Sequence, residues 1–263
     1  MKKISLILGA LVLVLAGCGS SGETITVNGS TSVESFFKET LAPQISNDLG
    51  YEVEYQATGS SDGIQAAQEG TADFGTSSRD LKDDEQNLDS TVMAYDGIAV
   101  VVNKNNPVTD ISMEDIAKVF KGEITNWSEL GGDDADIVVV SREDGSGTRT
   151  AIEELVGFEN ELVDGATIAD GNGNVASTVA ENPNAIGYVS FTTLEDNMDK
   201  LTGLKVDGAE PTPMNVKSGD YAVARPFLLV YQEQNLTDAD KEVLAWIETT
   251  GVTYAPDAGL IEA

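Results

Sequence analysis

Three times in 263 residues a glycine–hydroxyl cluster stands between a run of strand character and a run of helical spacing: Gly29-Ser30-Thr31-Ser32, Gly59-Ser60-Ser61-Asp62 and Gly145-Ser146-Gly147-Thr148. A strand that feeds a helix through such a turn is the repeating unit of an α/β sheet, so the order restricts the fold class before any composition is counted. The turns also carry chemistry. The first N–H groups of each helix have no intrahelical partner and face outward beside Ser or Thr hydroxyls, a donor set suited to an anion. One such hydroxyl alone reads as a helix cap; three turns in equivalent places point to a shared tetrahedral oxyanion.

The rest of the chain places these turns. Thr24–Val27 and Glu52–Gln56 are expected strands. Between them Val33, Phe36, Phe37, Leu41 and Ile45 mark a helix, with Thr31 and Glu34 spaced as a capping box. After the second turn, Ile64 and Ala67 mark another helix, stopped at Gly70 and followed by a strand through Asp73–Thr76. Met93–Asn103 and Tyr221–Tyr231 are two long apolar runs, read as crossings between lobes. Ser112–Lys121 is an expected helix boxed by Asp115, Ile137–Val140 and Ala185–Phe191 are expected strands, and Thr237–Thr250 is a capped closing helix. The reading is α/β: two hinged lobes, each a mixed, mostly parallel sheet flanked by helices, with residues 24–98 plus 226–263 in lobe I and 99–225 in lobe II. Ligands of such sheets sit beyond the strands' carboxyl ends, where all three turns fall, so the expected site is the interlobe cleft.

Residues 1–17 read as a signal segment: Lys2 and Lys3, an apolar run from Ile4 to Ala16, then Leu15-Ala16-Gly17-Cys18. That run is too short for a bilayer span. Leu-Ala-Gly-Cys resembles a bacterial lipobox, which implies cleavage before Cys18 and lipidation of its thiol, with residues 18–23 as a tether holding the domain on the outer face of the cell membrane. Cys18 is the only cysteine, so no intramolecular disulfide forms. With 15 Lys plus Arg against 45 Asp plus Glu, a formal charge of −30, the chain lacks the basic face that nucleic acid requires. Short-range donors in a closed cleft can still outweigh a screened field.

Taken together, Asn28–Ser32, Thr58–Gly63, Asp73-Phe74-Gly75-Thr76-Ser77-Ser78-Arg79, Phe120–Trp127, Arg142–Arg149 and Asn182–Tyr188 resemble, in order and spacing, the phosphate-binding lipoproteins of bacterial phosphate ABC transporters, the PstS type, with the two-lobed type II periplasmic-binding-protein fold. The resemblance implies that Ser30, Thr31, Ser32, Ser60, Ser78, Arg142, Ser146, Gly147 and Thr148 bind inorganic phosphate. Asp144 would then orient Arg142, and Asp62 and Arg79 are further residues that could reach the ligand. It also implies a monomer that delivers phosphate to permease subunits with a cytoplasmic ATPase, without cofactor or covalent chemistry. One position departs from the family: Ser78 stands where better-known members place an Asp that accepts the proton of hydrogen phosphate. Sulfate offers no such proton, so this exchange keeps sulfate, molybdate and tungstate open as cargo.

Other chemistries fit less well. No His is present, which removes Ser-His-Asp, Cys-His and His-metal arrangements. Gly145–Thr148 lacks the Lys and the spacing of a nucleotide loop. Asp170, Asn172, Asn174 and Glu181 match calcium-loop positions, but Val175 occupies the place of the required Gly, and a loop entering a helix through Val175 and Val179 is the better reading. A surface phosphoester hydrolase would need a metal or an activated nucleophile; an adhesin or sensor would leave the hydroxyl turns without a ligand.

Overall fold

The computed structural model describes residues 23–263; Cys18 and the expected signal segment lie outside the described residues. Strand β1 (Thr24–Gly29) pairs in parallel with β2 (Glu52–Ala57) on one side and β3 (Phe74–Ser77) on the other. A π turn (Phe36–Leu41) running into α1 (Ala42–Leu49) and the helix α2 (Ser60–Glu69) make the two crossovers. Two consecutive strand–helix–strand units follow, as the repeated turns require.

The 15-residue strand β4 (Asp89–Asn103) then carries the chain into a second body. There β5 (Asp110–Ile111) and α3 (Met113–Lys121) precede β6 (Val138–Arg142) and α4 (Gly147–Val156). Next come β7 (Thr167–Ala169), α5 (Asn172–Glu181), β8 (Ala185–Ser190) and α6 (Phe191–Glu195). After β9 (Leu201–Gly203), β10 (Lys205–Val206) and α7 (Pro213–Ser218), strand β11 (Ala224–Tyr231) returns beside β4, and α8 (Asp238–Thr249) and β12 (Ile261–Glu262) close the chain. The main sheet order is β2-β1-β3-β11-β4-β8-β6-β7. Outer neighbours are parallel (β1 with β2 and β3, β6 with β7 and β8), whereas β4 and β11 enter antiparallel to each other and to β8 and β3. The sheet is therefore mixed, with the antiparallel pairs concentrated at the crossing.

Two main cores flank that crossing. One gathers Phe36, Phe37, Phe74, Met93, Phe227 and Trp246; the other gathers Val100, Phe120, Trp127, Phe158 and Tyr188, with Phe120 and Phe158 stacked at 5.2 Å. From Met93 to Asn103 every residue of β4 except Tyr95 is buried, the near-continuous pattern of a strand covered on both faces. Only Asp96 interrupts it with a charge that is fully buried.

Most expected elements form, with their caps. Ser112 Oγ accepts from Asp115 N at 3.0 Å, and Thr237 Oγ1 accepts from Asp240 N at 3.1 Å. The Thr31/Glu34 box does not form. Thr31 to Val33 make a turn, the helix starts at Glu34 without a side-chain cap, and Thr31 Oγ1 accepts from Arg142 instead. Residues 172–181 are helical, as the reading preferred over the calcium loop expected.

Candidate functional site

The three hydroxyl turns meet at the carboxyl ends of β1, β2 and β6. The first is held open by backbone geometry. Gly29 has φ +144°, and a Cβ there would sit 2.7 Å from Thr76 Oγ1 and 2.8 Å from Thr76 N, so only glycine lets β1 and β3 approach at this point. Ser30 N donates to Thr76 O at 3.1 Å, and Tyr55 Oη donates to Ser30 O at 2.6 Å. Burial drives the Tyr55 phenol pKa upward, which keeps it a donor. The second turn opens α2 at Ser60, and the third opens α4, where Ser146 is the N-cap and Gly147 the first helical residue. Two ten-residue helices thus aim their N-termini, and the positive ends of their dipoles, at one point.

Across the cleft the turns touch. Ser61 N donates to Gly145 O at 3.1 Å, and Ser32 Oγ lies 2.9 Å from Thr148 Oγ1. Ser30 Oγ donates to Ser78 Oγ at 2.9 Å, Ser78 N donates to Ser60 Oγ at 3.1 Å, and the Ser60 and Ser78 hydroxyls are 3.3 Å apart. Ser30, Ser32, Ser60, Ser78, Ser146 and Thr148 are all buried to 2% exposure or less. The lobes are closed on a lining of hydroxyls and helix-first-turn N–H groups. Ser146 is the N-cap of α4: its Oγ accepts from Arg149 N at 3.2 Å, a bond that leaves the hydroxyl proton uncommitted.

One guanidinium joins the lining. Arg142 donates from Nη2 to Thr31 Oγ1 at 3.1 Å and from Nη1 to Thr148 Oγ1 at 3.4 Å, touching both lobes. It is fixed from behind by Glu143, which accepts from Nε at 2.7 Å and from Nη2 at 2.6 Å. Burial pushes the Glu143 carboxyl up, but the hydrogen bonds and charge of Arg142 outweigh it and hold the group below the ordinary carboxylate range. Glu143 also accepts Gly171 N–H at 3.1 Å, tying the entrance of α5 to the site.

This geometry corrects one expectation and bears on two residues left open. Asp144 does not orient Arg142; its fully exposed carboxylate pairs with Arg149 at 2.8 Å, and Glu143, the first residue past β6, is the acid that reaches the Arg142 guanidinium. Asp62 is exposed on the first turn of α2, where it complements the helix dipole and makes no contact with the cluster. Arg79 is buried, yet it is clamped by Glu85 through Nη1 and Nη2 at 2.7 and 2.8 Å and by Asp80 O at 2.8 Å, and of the hydroxyl turns it reaches only Ser61 Oγ, at 3.4 Å. Each arginine is claimed by a neighbouring acid, so proximity in sequence to a hydroxyl turn did not decide its role.

This architecture recurs in known proteins. A family model described as the PBP superfamily domain matches residues 16–249. A putative phosphate ABC transporter substrate-binding protein with bound phosphate from Clostridium perfringens is 44% identical, with a TM-score of 0.87 over 92% of this chain and 100% of that one. The chain belongs to the PstS family. An ABC-type phosphate transport receptor from Vibrio cholerae is 31% identical, with a TM-score of 0.76 over 92% of this chain and 100% of its own. The phosphate-binding protein PstS of Bacillus subtilis (strain 168) is 29% identical over 99% of this chain and 95% of its own length. The two-lobed type II fold of the PstS family is the fold of this chain.

Sequence reasoning missed three residues at this PstS-type cleft. Asn172, set aside with the calcium pattern, is 3% exposed and donates from Nδ2 to Ser32 Oγ at 2.8 Å. Arg225, within the apolar run of β11, donates from Nη2 to Ser32 Oγ and to Asp96 Oδ2, both at 3.0 Å. Asp96 sits opposite Arg225 on β4, and burial pushes its carboxyl up to about 6 against the opposing pull of Arg225. A signal was present: Asp96 and Arg225 are lone charges inside two otherwise apolar strands, and buried charges are retained in pairs.

Proposed function

We propose that this protein is an extracytoplasmic solute-binding protein that captures inorganic phosphate in the closing cleft and delivers it to an ABC permease with cytoplasmic ATPase subunits. One observation carries the reading: three hydroxyl turns from two lobes close on one another around a bidentately anchored Arg142, in a chain 44% identical to a protein whose structure holds phosphate. Such a site binds without covalent chemistry. Roughly ten hydrogen bonds to a charged ligand, each worth about 1.5–3 kcal/mol, exceed the ~8 kcal/mol of micromolar binding once association costs are met.

The ligand set is assigned to Ser30, Thr31, Ser32, Ser60, Ser78, Arg142, Ser146, Gly147 and Thr148. The two main cores divide between Ala94 and Ile98 and again between Val223 and Phe227, which supports the proposed 225/226 boundary and moves the first one to just before Ile98. Lipidation at Cys18 would hold the monomer on the outer face of the membrane. No helix among the described residues is long and apolar enough to cross it.

Another oxyanion as cargo is favoured by one observation. By the resemblance to PstS proteins, Ser78 stands where better-known members place a proton-accepting Asp; here its hydroxyl faces the cleft, and the exposed Asp62 does not replace it. Calorimetric titration of dialysed protein lacking residues 1–22, with phosphate and then sulfate at pH 7–8, decides between them. Tight one-to-one phosphate binding that survives excess sulfate supports phosphate import. A preference for sulfate moves the cargo, and no binding of either refutes the reading.

A further inference from the structure

Donor counting around Ser32 fixes the direction of a hydroxyl chain that ends in the cleft. A serine hydroxyl has two lone pairs and one proton. Ser32 Oγ receives Asn172 Nδ2 at 2.8 Å and Arg225 Nη2 at 3.0 Å, so both lone pairs are occupied by N–H donors. Its proton must go to the remaining neighbour, Thr148 Oγ1, at 2.9 Å. Thr148 Oγ1 also receives Arg142 Nη1 at 3.4 Å. Its own proton then has no acceptor within the chain and is left for whatever occupies the cleft. The opposite wall differs. Ser30 Oγ accepts Ser32 N–H at 3.2 Å and donates to Ser78 Oγ, whose other neighbour, Ser60 Oγ at 3.3 Å, can stand as donor or acceptor, so the direction on that wall is not fixed.

We propose that Arg225 and Asn172 are positioning residues that, through Ser32, make Thr148 an obligate donor to a bare oxygen of the bound anion, with Asp96 holding Arg225 in place. The inference rests on the anion-binding reading above and adds to it a polarity: bare oxygens face Thr148 and Arg142, and a protonated oxygen is received at a hydroxyl that keeps a lone pair, such as Thr31 or Ser146, and not at Thr148. Two further features support a role beyond packing. Arg225 is buried with Nε and Nη1 unpartnered, and Asn172 Oδ1 is likewise buried and unpartnered. A guanidinium and an amide placed only to satisfy themselves would not be left so incompletely bonded. The chain also spans the closure. Ser32 comes from the first body, Thr148 and Asn172 from the second, and Asp96 and Arg225 from the two crossing strands, so the polarised arrangement is complete only when the lobes meet.

A double-mutant cycle tests this. The buried pair is replaced together, Asp96→Leu with Arg225→Met, because swapping a whole buried ion pair for apolar residues preserves folding where removing one partner does not. Asn172→Ala is a second, independent variant. Each is measured with and without Thr148→Val, by calorimetry with phosphate, or with sulfate where the unaltered protein prefers it. The expected loss is about tenfold to a hundredfold for the pair replacement and about tenfold for Asn172→Ala, shrinking to within about twofold in the Thr148→Val background. Equal losses in both backgrounds would show a structural role and overturn the proposal while leaving the anion site intact. Failure of the unaltered protein to bind either anion refutes the underlying reading instead, and the proposal falls with it. Should the pair replacement not fold, Asn172→Ala alone decides: coupling to Thr148 supports the chain, and additivity overturns it.

Discussion

Gly147→Ala separates closure from folding. Gly147 is the first residue of α4, and its backbone is compatible with alanine, since its φ is not positive. Yet a Cβ there would lie 2.7 Å from Ser78 Oγ, 2.9 Å from Ser60 Cβ and closer still to Ser60 Oγ, all on the facing lobe. Against an ordinary contact of 3.4 Å the shortfall is at least about 0.7 Å. Moving the lobes apart by that amount stretches the 3.1 Å Ser61 N to Gly145 O bond to about 3.8 Å and the 2.9 Å Ser32 to Thr148 bond to about 3.6 Å. Both then cease to be hydrogen bonds. An anion held from both sides loses two or more charge-assisted contacts, about 3–6 kcal/mol, or roughly a hundredfold to ten-thousandfold in affinity. Unfolding of the ligand-free protein should move the other way, since Gly→Ala in a helix stabilises by up to about 1 kcal/mol. Gly173→Ala, in the first turn of α5 with nothing within 4 Å of its Cβ, is the control that keeps full affinity. Calorimetry and thermal melts read both quantities. Gly147→Ala binding phosphate within about threefold of the unaltered protein would refute the closure geometry.

The anchoring of Arg142 gives an ordered series in the same titration: Arg142→Met should lose more than about a hundredfold, Glu143→Gln about tenfold, and Asp144→Ala less than twofold, because Glu143 and not Asp144 holds the guanidinium. Ser78→Asp should raise the phosphate-over-sulfate ratio by at least about tenfold at pH 8, since a carboxylate there accepts a proton that only phosphate offers; an unchanged ratio places the proton elsewhere. In acid, Glu85 and Glu143, held below the usual 4.5 by their arginines despite burial, contribute stability that is complete above 4.5 and lost as the pH falls through their lowered values. Urea midpoints between pH 7 and 3.5 should therefore fall less steeply for Glu85→Gln than for the unaltered protein, and parallel curves would refute this assignment.

How far the sequence could be read follows from where information is local. The turns at Gly29, Gly59 and Gly145 announce themselves because a tight strand-to-helix turn and its cap are decided within four or five residues. The helix at Ser112 and the one at Thr237 are legible for the same reason. Thr31 broke that rule: its spacing to Glu34 fits a capping box, but Arg142, 111 positions away, takes the hydroxyl, and the helix starts with a π turn instead. The choice between Glu143 and Asp144 depended on how the chain turns just past the end of β6, which two adjacent acids of like charge do not reveal. Asn172 and Arg225 lay furthest out of reach. Their partner, Ser32, is 140 and 193 residues away, and only the packing of α5 and of the returning strand β11 brings them to it.

The burial of three arginines settles how so acidic a chain can hold an anion. Arg79, Arg142 and Arg225 are each 3% exposed or less, and each is matched by one carboxylate: Glu85, Glu143 and Asp96. Their charges cancel pair by pair, so the cleft carries no formal excess of positive charge. Its pull on an anion comes from N–H and O–H groups and two helix N-termini, forces that act over a few ångströms and that salt barely screens. The net charge of −30 acts over a longer range and repels the anion on approach. Salt should therefore affect the two rate constants differently. Raising ionic strength from about 0.01 to 0.15 M shortens the Debye length from about 30 to 8 Å, which should speed association several-fold and leave dissociation within about twofold. Stopped-flow fluorescence, or kinetic calorimetry where closure leaves tryptophan emission unchanged, gives both constants in sodium chloride. Dissociation that accelerates steeply with salt would mean that an unpaired positive charge holds the ligand, and the pairing of Arg142 with Glu143 would then have to break on binding.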